Sequence, residues 1–279
     1  MPLIRGALRE DQAGADITSA AVLPSGARIT AEIVARAAGV LAGGTVAGWV
    51  FETVDRRVRY LVKVSDGSAV RPGQVVATLK GAARSIVAAE RVALNLLGHL
   101  SGIATLTRAF VRRVQGTGAA ILDTRKTLPG LRLLQKCAVR VGGGHNHRAD
   151  LRDAMLIKTN HLRTLQRSGV NRAAAIRQAV AQARRRAGGR WLEIEAATLT
   201  DARIALELRP DAILLDNMPV ARVREAVRLR GRRSRIKLEV SGGITQANVR
   251  AYAAIGVDRI SIGRLTHSAP SLDFSLRVR

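Results

Sequence analysis

The chain has 279 residues, 47% hydrophobic and 24% charged, enough for one large or two modest domains with a real core. Its single cysteine, Cys137, excludes an internal disulfide and a cysteine-based metal cluster. An aromatic content of 3% argues against a stacking surface for single-stranded nucleic acid. Lys and Arg number 46 against 21 Asp and Glu, a formal net charge of +25 at pH 7. Such a field can attract polyanions. Most of the excess, however, lies in runs such as AQARRRAGGR and VREAVRLRGRRSR between predicted strands, where solvated helix faces account for it. No run approaches the roughly 18 apolar residues of a membrane span, and MPLIRGALREDQ becomes charged too soon for a secretory signal. These features predict a cytoplasmic protein with neither a membrane nor a nucleic-acid partner.

Along the first hundred residues, ARITAEIVARAAGVLAGG, VRYLVKVSDGSAV and PGQVVATLKG alternate short strands with turns, punctuated at Asp66-Gly67 and Pro72-Gly73. From Ser85 the apolar spacing becomes helical and reads as one or two helices joining two domains, broken near Gly98 and Gly102. Cys137 sits in the helical pattern LRLLQKCAVR and reads as plain packing. After Gly118, strand and helix alternate. The strands AAILD, DAMLIK, WLEIEA, DAILLD, KLEVSG and RISIG are separated by helical patterns, which implies a parallel sheet. In a ring of such units the site lies at the C-terminal ends of the strands. The residues there are Asp123 to Lys126, Lys158, Glu195, Asp216, Ser241 to Gly243, and Gly263.

The densest chemistry lies between Asp123 and His161, where Arg125, Lys126, His145, His147, Arg148, Lys158 and His161 surround Gly142 to Gly144. Cations placed where buried strands end point to a strongly anionic ligand. Arg suits a bidentate carboxylate clamp; Lys158 fits either an anion contact or, if desolvated, a Schiff base. His145 and His147 resemble a metal pair without a third ligand, so hydrogen bonding to substrate carboxylate or to neighbouring loops is the better reading, with His147 the stronger candidate. KLEVSGGI runs into a helix expected to begin near Thr245, and RISIGRL repeats the strand-to-glycine turn, so both loops can face a phosphate. At a strand period of two, Glu193 and Glu195 share a face, with Asp216 closing the next strand. They could pair with nearby cations, hold Mg²⁺ through water, accept ribose hydroxyls, or stabilise a positive sugar ring.

These motifs resemble the quinolinate phosphoribosyltransferase family nearly end to end. They are ADITS, GVLAG, ERVALNLLGHLSGIAT, DTRKTLPGLR, GGGHNHR, LIKTNH, LEIEA, ILLDNM, SGGIT and GRLTHSAPSLDFSL. The resemblance implies an α/β fold. An N-terminal α/β sandwich would cover 1–112, with 268–279 packing back on it, and an open seven-stranded α/β barrel would cover 113–267. It implies a homodimer with shared active sites, with a hexamer left open. The reaction implied is quinolinate plus phosphoribosyl pyrophosphate to nicotinate mononucleotide, CO₂ and pyrophosphate, with Mg²⁺, in de novo NAD biosynthesis.

By motif, Arg125, Arg148 and Lys158 would hold the quinolinate carboxylates, beside His147, with Lys126 between quinolinate and the phosphates. Arg91 would enter from the neighbouring subunit. Glu195 and Asp216 would face ribose and Mg²⁺, and Ser241, Gly242, Gly243 and Gly263 the 5′-phosphate; Thr124, Ile262 and Arg264 complete the substrate-contacting set. Lys126, Lys158, Glu195 and Asp216 carry the catalytic roles. Four positions depart from the family pattern: Thr159 stands for Asp, Ala196 for Val, Val240 for a small residue and Arg264 for a small or apolar one. Thr159 would leave Lys158 freer for the ligand, and Arg264 either adds a phosphate contact or faces solvent. Competing readings are a molybdenum-operon homologue with a different acceptor, a basic nucleic-acid-binding protein, and a Schiff-base aldolase on Lys158.

Overall fold

The computed structural model describes residues 2–279 and divides them into two compact units. The first comprises residues 2–108, 127–143 and 264–279. Its main sheet is antiparallel: β1 (Arg28–Ala35), β3 (Arg59–Val62), β5 (Val75–Ala82) and β12 (Phe274–Val278) lie in the order β12-β1-β5-β3. The C-terminal strand thus pairs with the first one, Ala31 opposite Val278 and Ala35 opposite Phe274. A two-stranded sheet of β2 (Gly39–Val40) and β4 (Ala69–Val70) completes the strands of this unit.

One continuous helix, Ala83–Val114, replaces the interrupted one expected from the sequence. Gly98 and Gly102 do not break it; they admit other chain segments against it. A Cβ on Gly102 would lie 2.0 Å from the Pro270 carbonyl oxygen, and one on Gly98 2.7 Å from that of Leu272. By length and composition this helix could cross a membrane, but its most apolar window is 67% buried, as in a core helix. A second difference is that residues 127–143, including the helix Arg132–Val141, group with the first unit rather than with the barrel residues around them.

The second unit, Ala109–Lys126 with Gly144–Gly263, is built on a parallel sheet. Its strands are β6 (Ala120–Leu122), β7 (Met155–Ile157), β8 (Leu192–Ala196), β9 (Ala212–Asp216), β10 (Lys237–Ser241) and β11 (Arg259–Ser261), in the order β6-β11-β10-β9-β8-β7. His145 adds a seventh position through a single parallel bridge to Leu122. The opening therefore lies between His145 and β7, and the segment 146–154 that joins these two edges carries His147 and Arg148. Ile194, Ile213, Leu215, Leu238, Val240 and Ile260 are at most 1% exposed, as strands covered on both faces require. The helix expected near Thr245 begins later, at Val249, and spans only Val249–Ala253. Before it, Asn248 Oδ1 accepts from Thr245 N at 2.8 Å while Thr245 Oγ1 accepts from Asn248 N at 3.3 Å, so a side-chain-closed turn occupies the first expected helical turn.

Candidate active site

Parallel register gathers the C-terminal ends of the barrel strands into one row: Ser241 is level with Asp216 on one side and Ser261 on the other. This row lines a cavity of about 470 Å³ together with Thr124, Arg125, Lys126, His147, Arg148, Leu156, Lys158, Glu195, Leu214 and Asn217. Nine of the expected site residues thus meet there, from Thr124 through Ser241 in the chain. The cavity wall has four Lys or Arg side chains and two carboxylates, a cationic excess of two.

The local chemistry explains the placement of each group. Lys158 caps the helix Thr159–Gln166, and its own N–H donates to His161 Nδ1 at 2.9 Å. Thr159 N–H, in the first turn, donates to Glu195 Oε2 at 2.7 Å, a favourable place for a carboxylate. Thr159 thus ties β8 to the Lys158 turn through its backbone, and its buried hydroxyl has no partner. Arg148 donates through Nη1 to the Ala154 carbonyl at 3.0 Å. Burial, and next the neighbouring Arg125 charge, lower its pKa, against the pull of Glu193, Glu195 and Asp153. Two guanidinium groups crowded in this way favour an anion between them.

Ile262 is buried at 3% exposure, and Gly242, Gly243 and Gly263 are not on the cavity wall. Gly242, at φ +89°, leaves room for Asn217, whose Oδ1 would sit 2.1 Å from a Cβ there. Asn217 itself has φ 52° and donates from its N–H to the Ser241 carbonyl at 2.8 Å. With five residues, the helix after this turn has little dipole to offer a phosphate. Arg91 belongs to the first unit, where its side chain is 63% exposed with Glu90 4.0 Å away. Arg264 opens the short helix Arg264–His267 of the same unit. Another cavity, of about 880 Å³ and lined by residues such as Arg5, Arg9, Gln12 and Thr53, has neither carboxylate nor histidine on its wall.

Sequence reasoning missed Asn217, Ser261, Leu156 and Leu214. It named His147 and Glu193 but missed Glu239 and Arg259, and with them the layer beneath the cavity. Glu193 and Glu239 are 1% and 0% exposed, and His147 Nε2 lies 3.0 Å from one carboxylate and 3.4 Å from the other. Arg259 Nε is 3.0 Å from Glu239, its register partner on the adjacent strand, and the Arg259 guanidinium stacks 5.3 Å above the Trp191 ring. The histidine thus belongs to a buried ion cluster and not to a pair with His145, which is exposed. The ligand atoms of His147, Glu193 and Glu239 are close enough for a metal ion. Arg259 already supplies a cation there and opposes a second.

Burial alone would lower the His147 pKa; hydrogen bonds and charges from Glu193 and Glu239 outweigh it and raise it to about 9. Burial, then repulsion from Glu239, raises the Glu193 carboxyl too, against the pull of His147. The cluster therefore holds one proton more than two free carboxylates, one neutral imidazole and one guanidinium would. Nδ1 of His147 accepts from the Arg148 N–H at 2.7 Å, and a protonated Nδ1 cannot. Nε2 therefore carries the ring's single proton, and the extra proton lies on the facing carboxylates, where the raised Glu193 carboxyl can hold it.

Comparison with known proteins agrees with this geometry. The family descriptions "Quinolinate phosphoribosyl transferase, N-terminal domain" and "C-terminal domain" match residues 16–101 and 103–277. A carboxylating nicotinate-nucleotide pyrophosphorylase of Mycobacterium leprae is 46% identical over 277 residues, covering 98% of this chain and 95% of the relative. A decarboxylating quinolinate phosphoribosyltransferase of Nicotiana tabacum is 37% identical, covering 99% of this chain and 81% of its own. Among solved structures, NadC from Streptococcus pyogenes superposes with a TM-score of 0.89 at 38% identity, covering 100% of this chain and 96% of that one. With both domain descriptions matched and relatives aligned over nearly its whole length, the chain belongs to the quinolinate phosphoribosyltransferase family.

Proposed function

We propose that this chain catalyses the decarboxylating phosphoribosyl transfer of de novo NAD biosynthesis. Quinolinate and phosphoribosyl pyrophosphate become nicotinate mononucleotide, CO₂ and pyrophosphate. The observation that carries this reading is the cationic excess of two in a cavity that also presents two carboxylates. That excess matches a pyridine dicarboxylate, and the carboxylates suit a sugar that develops positive charge. Arg125, Arg148 and Lys158 neutralise and orient the diacid, while Lys126 stands between it and the phosphates.

As pyrophosphate leaves, Glu195 and Asp216 stabilise the oxocarbenium-like ribose electrostatically. The pyridine nitrogen attacks C1, and its lone pair forms the new bond as the bond to pyrophosphate breaks. The resulting pyridinium draws in the electron pair released when the adjacent carboxylate departs as CO₂, and a proton then takes that pair. Residues that position and neutralise suffice for these steps. Ser241, Gly242, Gly243 and Gly263 are assigned to the 5′-phosphate, with Thr124, Ile262 and Arg264 as further contacts.

Glu195 and Asp216 offer the hard oxygen donors that Mg²⁺ takes, held through water, and the ion would supply charge neutralisation for the leaving pyrophosphate. The assembly we infer is a homodimer in which Arg91 of each subunit serves its neighbour's cavity; its exposure supports this role. The free Cys137 suits a reducing compartment, here the cytoplasm.

The test is direct: purified protein with Mg²⁺, phosphoribosyl pyrophosphate and either quinolinate or nicotinate, with mononucleotide and CO₂ measured. Turnover of nicotinate but not quinolinate would reject the assignment. For the shared site, Arg91→Ala and Arg148→Ala should each be inactive alone, and mixing them should restore part of the activity through hybrid dimers. No recovery despite demonstrated subunit exchange would exclude it.

A further inference from the structure

Glu193, Glu239 and Arg259 have no part in the chemistry above, yet they reach the cavity through His147, which lines it. Each of the links is short and buried. Glu193 and Glu239 converge on His147 Nε2 at 3.0 and 3.4 Å, and Arg259 holds Glu239 from the opposite side at 3.0 Å. Nδ1, at the far edge of the same ring, accepts the Arg148 N–H at 2.7 Å. The other end of this short segment is held as well: His147 N–H donates to Oδ1 of Asp123, which is 0% exposed, at 2.9 Å. The successive N–H groups of His147 and Arg148 are thereby each held by a side chain, in a segment that spans the opening of the sheet and has no ladder hydrogen bonds of its own there.

A histidine ring can present either nitrogen as the acceptor, and its neighbours decide which. Two carboxylates on Nε2 require a proton there and so leave Nδ1 with its lone pair toward Arg148. A single carboxylate would do this less well, and a carboxylate not held by Arg259 could rotate away. Trp191, stacked on the Arg259 guanidinium, closes the chain from below.

We propose that Glu239 and Arg259 are positioning residues for quinolinate: with Glu193 they fix the tautomer of His147, which aims Arg148 at a substrate carboxylate. Neither lines the cavity, and Arg259 meets the Glu239 oxygen that His147 does not. The inference deepens the proposed activity and rests on it only in its kinetic arm.

Glu239→Gln keeps the shape and removes the charge; Arg259→Met removes the partner that holds Glu239. Each should raise KM for quinolinate at least tenfold while KM for phosphoribosyl pyrophosphate stays within twofold and kcat at saturation within threefold. Loss of structure alone would instead lower the active fraction and leave both KM values in place. That result, or equal shifts in both KM values, overturns the proposal. The second arm needs neither a variant that folds well nor any turnover. In the unaltered protein labelled with ¹⁵N-histidine, His147 should show an unprotonated Nδ1 and a protonated Nε2 at pH 7.5. A protonated Nδ1 would overturn the proposal even if the enzyme proves to use another acceptor, whereas a failed quinolinate assay with the expected tautomer would sink the activity and leave the positioning network standing.

Discussion

Glu193 and Glu195 stand two residues apart on β8 and face the same side of the sheet, yet they sit in opposite surroundings. Glu195 reaches the cavity, where four cations outnumber two carboxylates. Glu193 lies one layer down at 1% exposure, among His147, Glu239 and Arg259. The lower layer balances its own charge with one retained proton, so only the pull of Glu193 on Arg148 reaches the cations above. The upper layer is left unbalanced, which is the condition for binding a dianion. A site of this kind needs both: a neutral floor that holds geometry, and a charged wall that awaits its ligand.

Removing a member of the floor should have the largest effect on folding. Glu239→Ala leaves Arg259 and the His147 contact without their partner, and breaking a buried ion pair costs about 3–5 kcal/mol. The midpoint of urea unfolding should fall accordingly; an unchanged midpoint would show that the floor contributes nothing to stability. Removing a member of the wall should do the reverse. Arg148→Ala should weaken quinolinate binding about 100-fold, roughly 3 kcal/mol, when measured by calorimetry. Its unfolding midpoint should hardly move, because the lost charge was crowded by Arg125.

The retained proton makes the floor pH-dependent. The attraction that raises the His147 pKa from 6.5 to about 9 keeps one proton within the His147, Glu193 and Glu239 group, on a carboxylate while Nδ1 accepts the Arg148 N–H. Its contribution is therefore complete below about pH 6.5 and disappears as the pH rises through about 9. Between pH 7 and 9 stability should drop by about 2 kcal/mol. Glu239→Gln should flatten this slope, since one carboxylate fewer needs no extra proton. A slope equal to that of the unaltered protein would place the proton elsewhere.

The wall was legible in the sequence, and of the floor only His147 and Glu193 were, for a reason that lies in the sheet. Arg125, Lys126, Lys158, Glu195 and Asp216 each follow an apolar run, so strand ends alone mark them. Glu239 and Arg259 belong to KLEVSG and RISIG but stand before the strand ends, the feature that marked the wall residues. Only the register that sets Glu239 beside Arg259, and the sheet order that brings β10 within reach of His147, shows them to be internal. The same limit explains the long helix. Gly98 and Gly102 look like breaks until the carbonyls of Leu272 and Pro270, some 170 residues away in the chain, are found against them. The Thr245 start was misread because Thr245 and Asn248 satisfy each other's backbone groups before the helix begins.

Thr159, where the family usually has Asp, offers the finest adjustment of the contrast, because it bears on the charge of the wall alone. Its N–H holds Glu195 at 2.7 Å, and it directly follows Lys158. Thr159→Asp would add a carboxylate in the first turn of an eight-residue helix, where the dipole favours it by about 0.3–1 kcal/mol. The same charge stands beside the exposed Lys158 ammonium and opposes the incoming diacid. Stability should therefore rise slightly while KM for quinolinate increases about threefold, a Coulomb effect of about 0.6 kcal/mol that salt screens. Raising the ionic strength should shrink the difference between the two proteins. A KM difference that persists in high salt would mean that the new side chain acts by displacing Glu195 rather than by its charge.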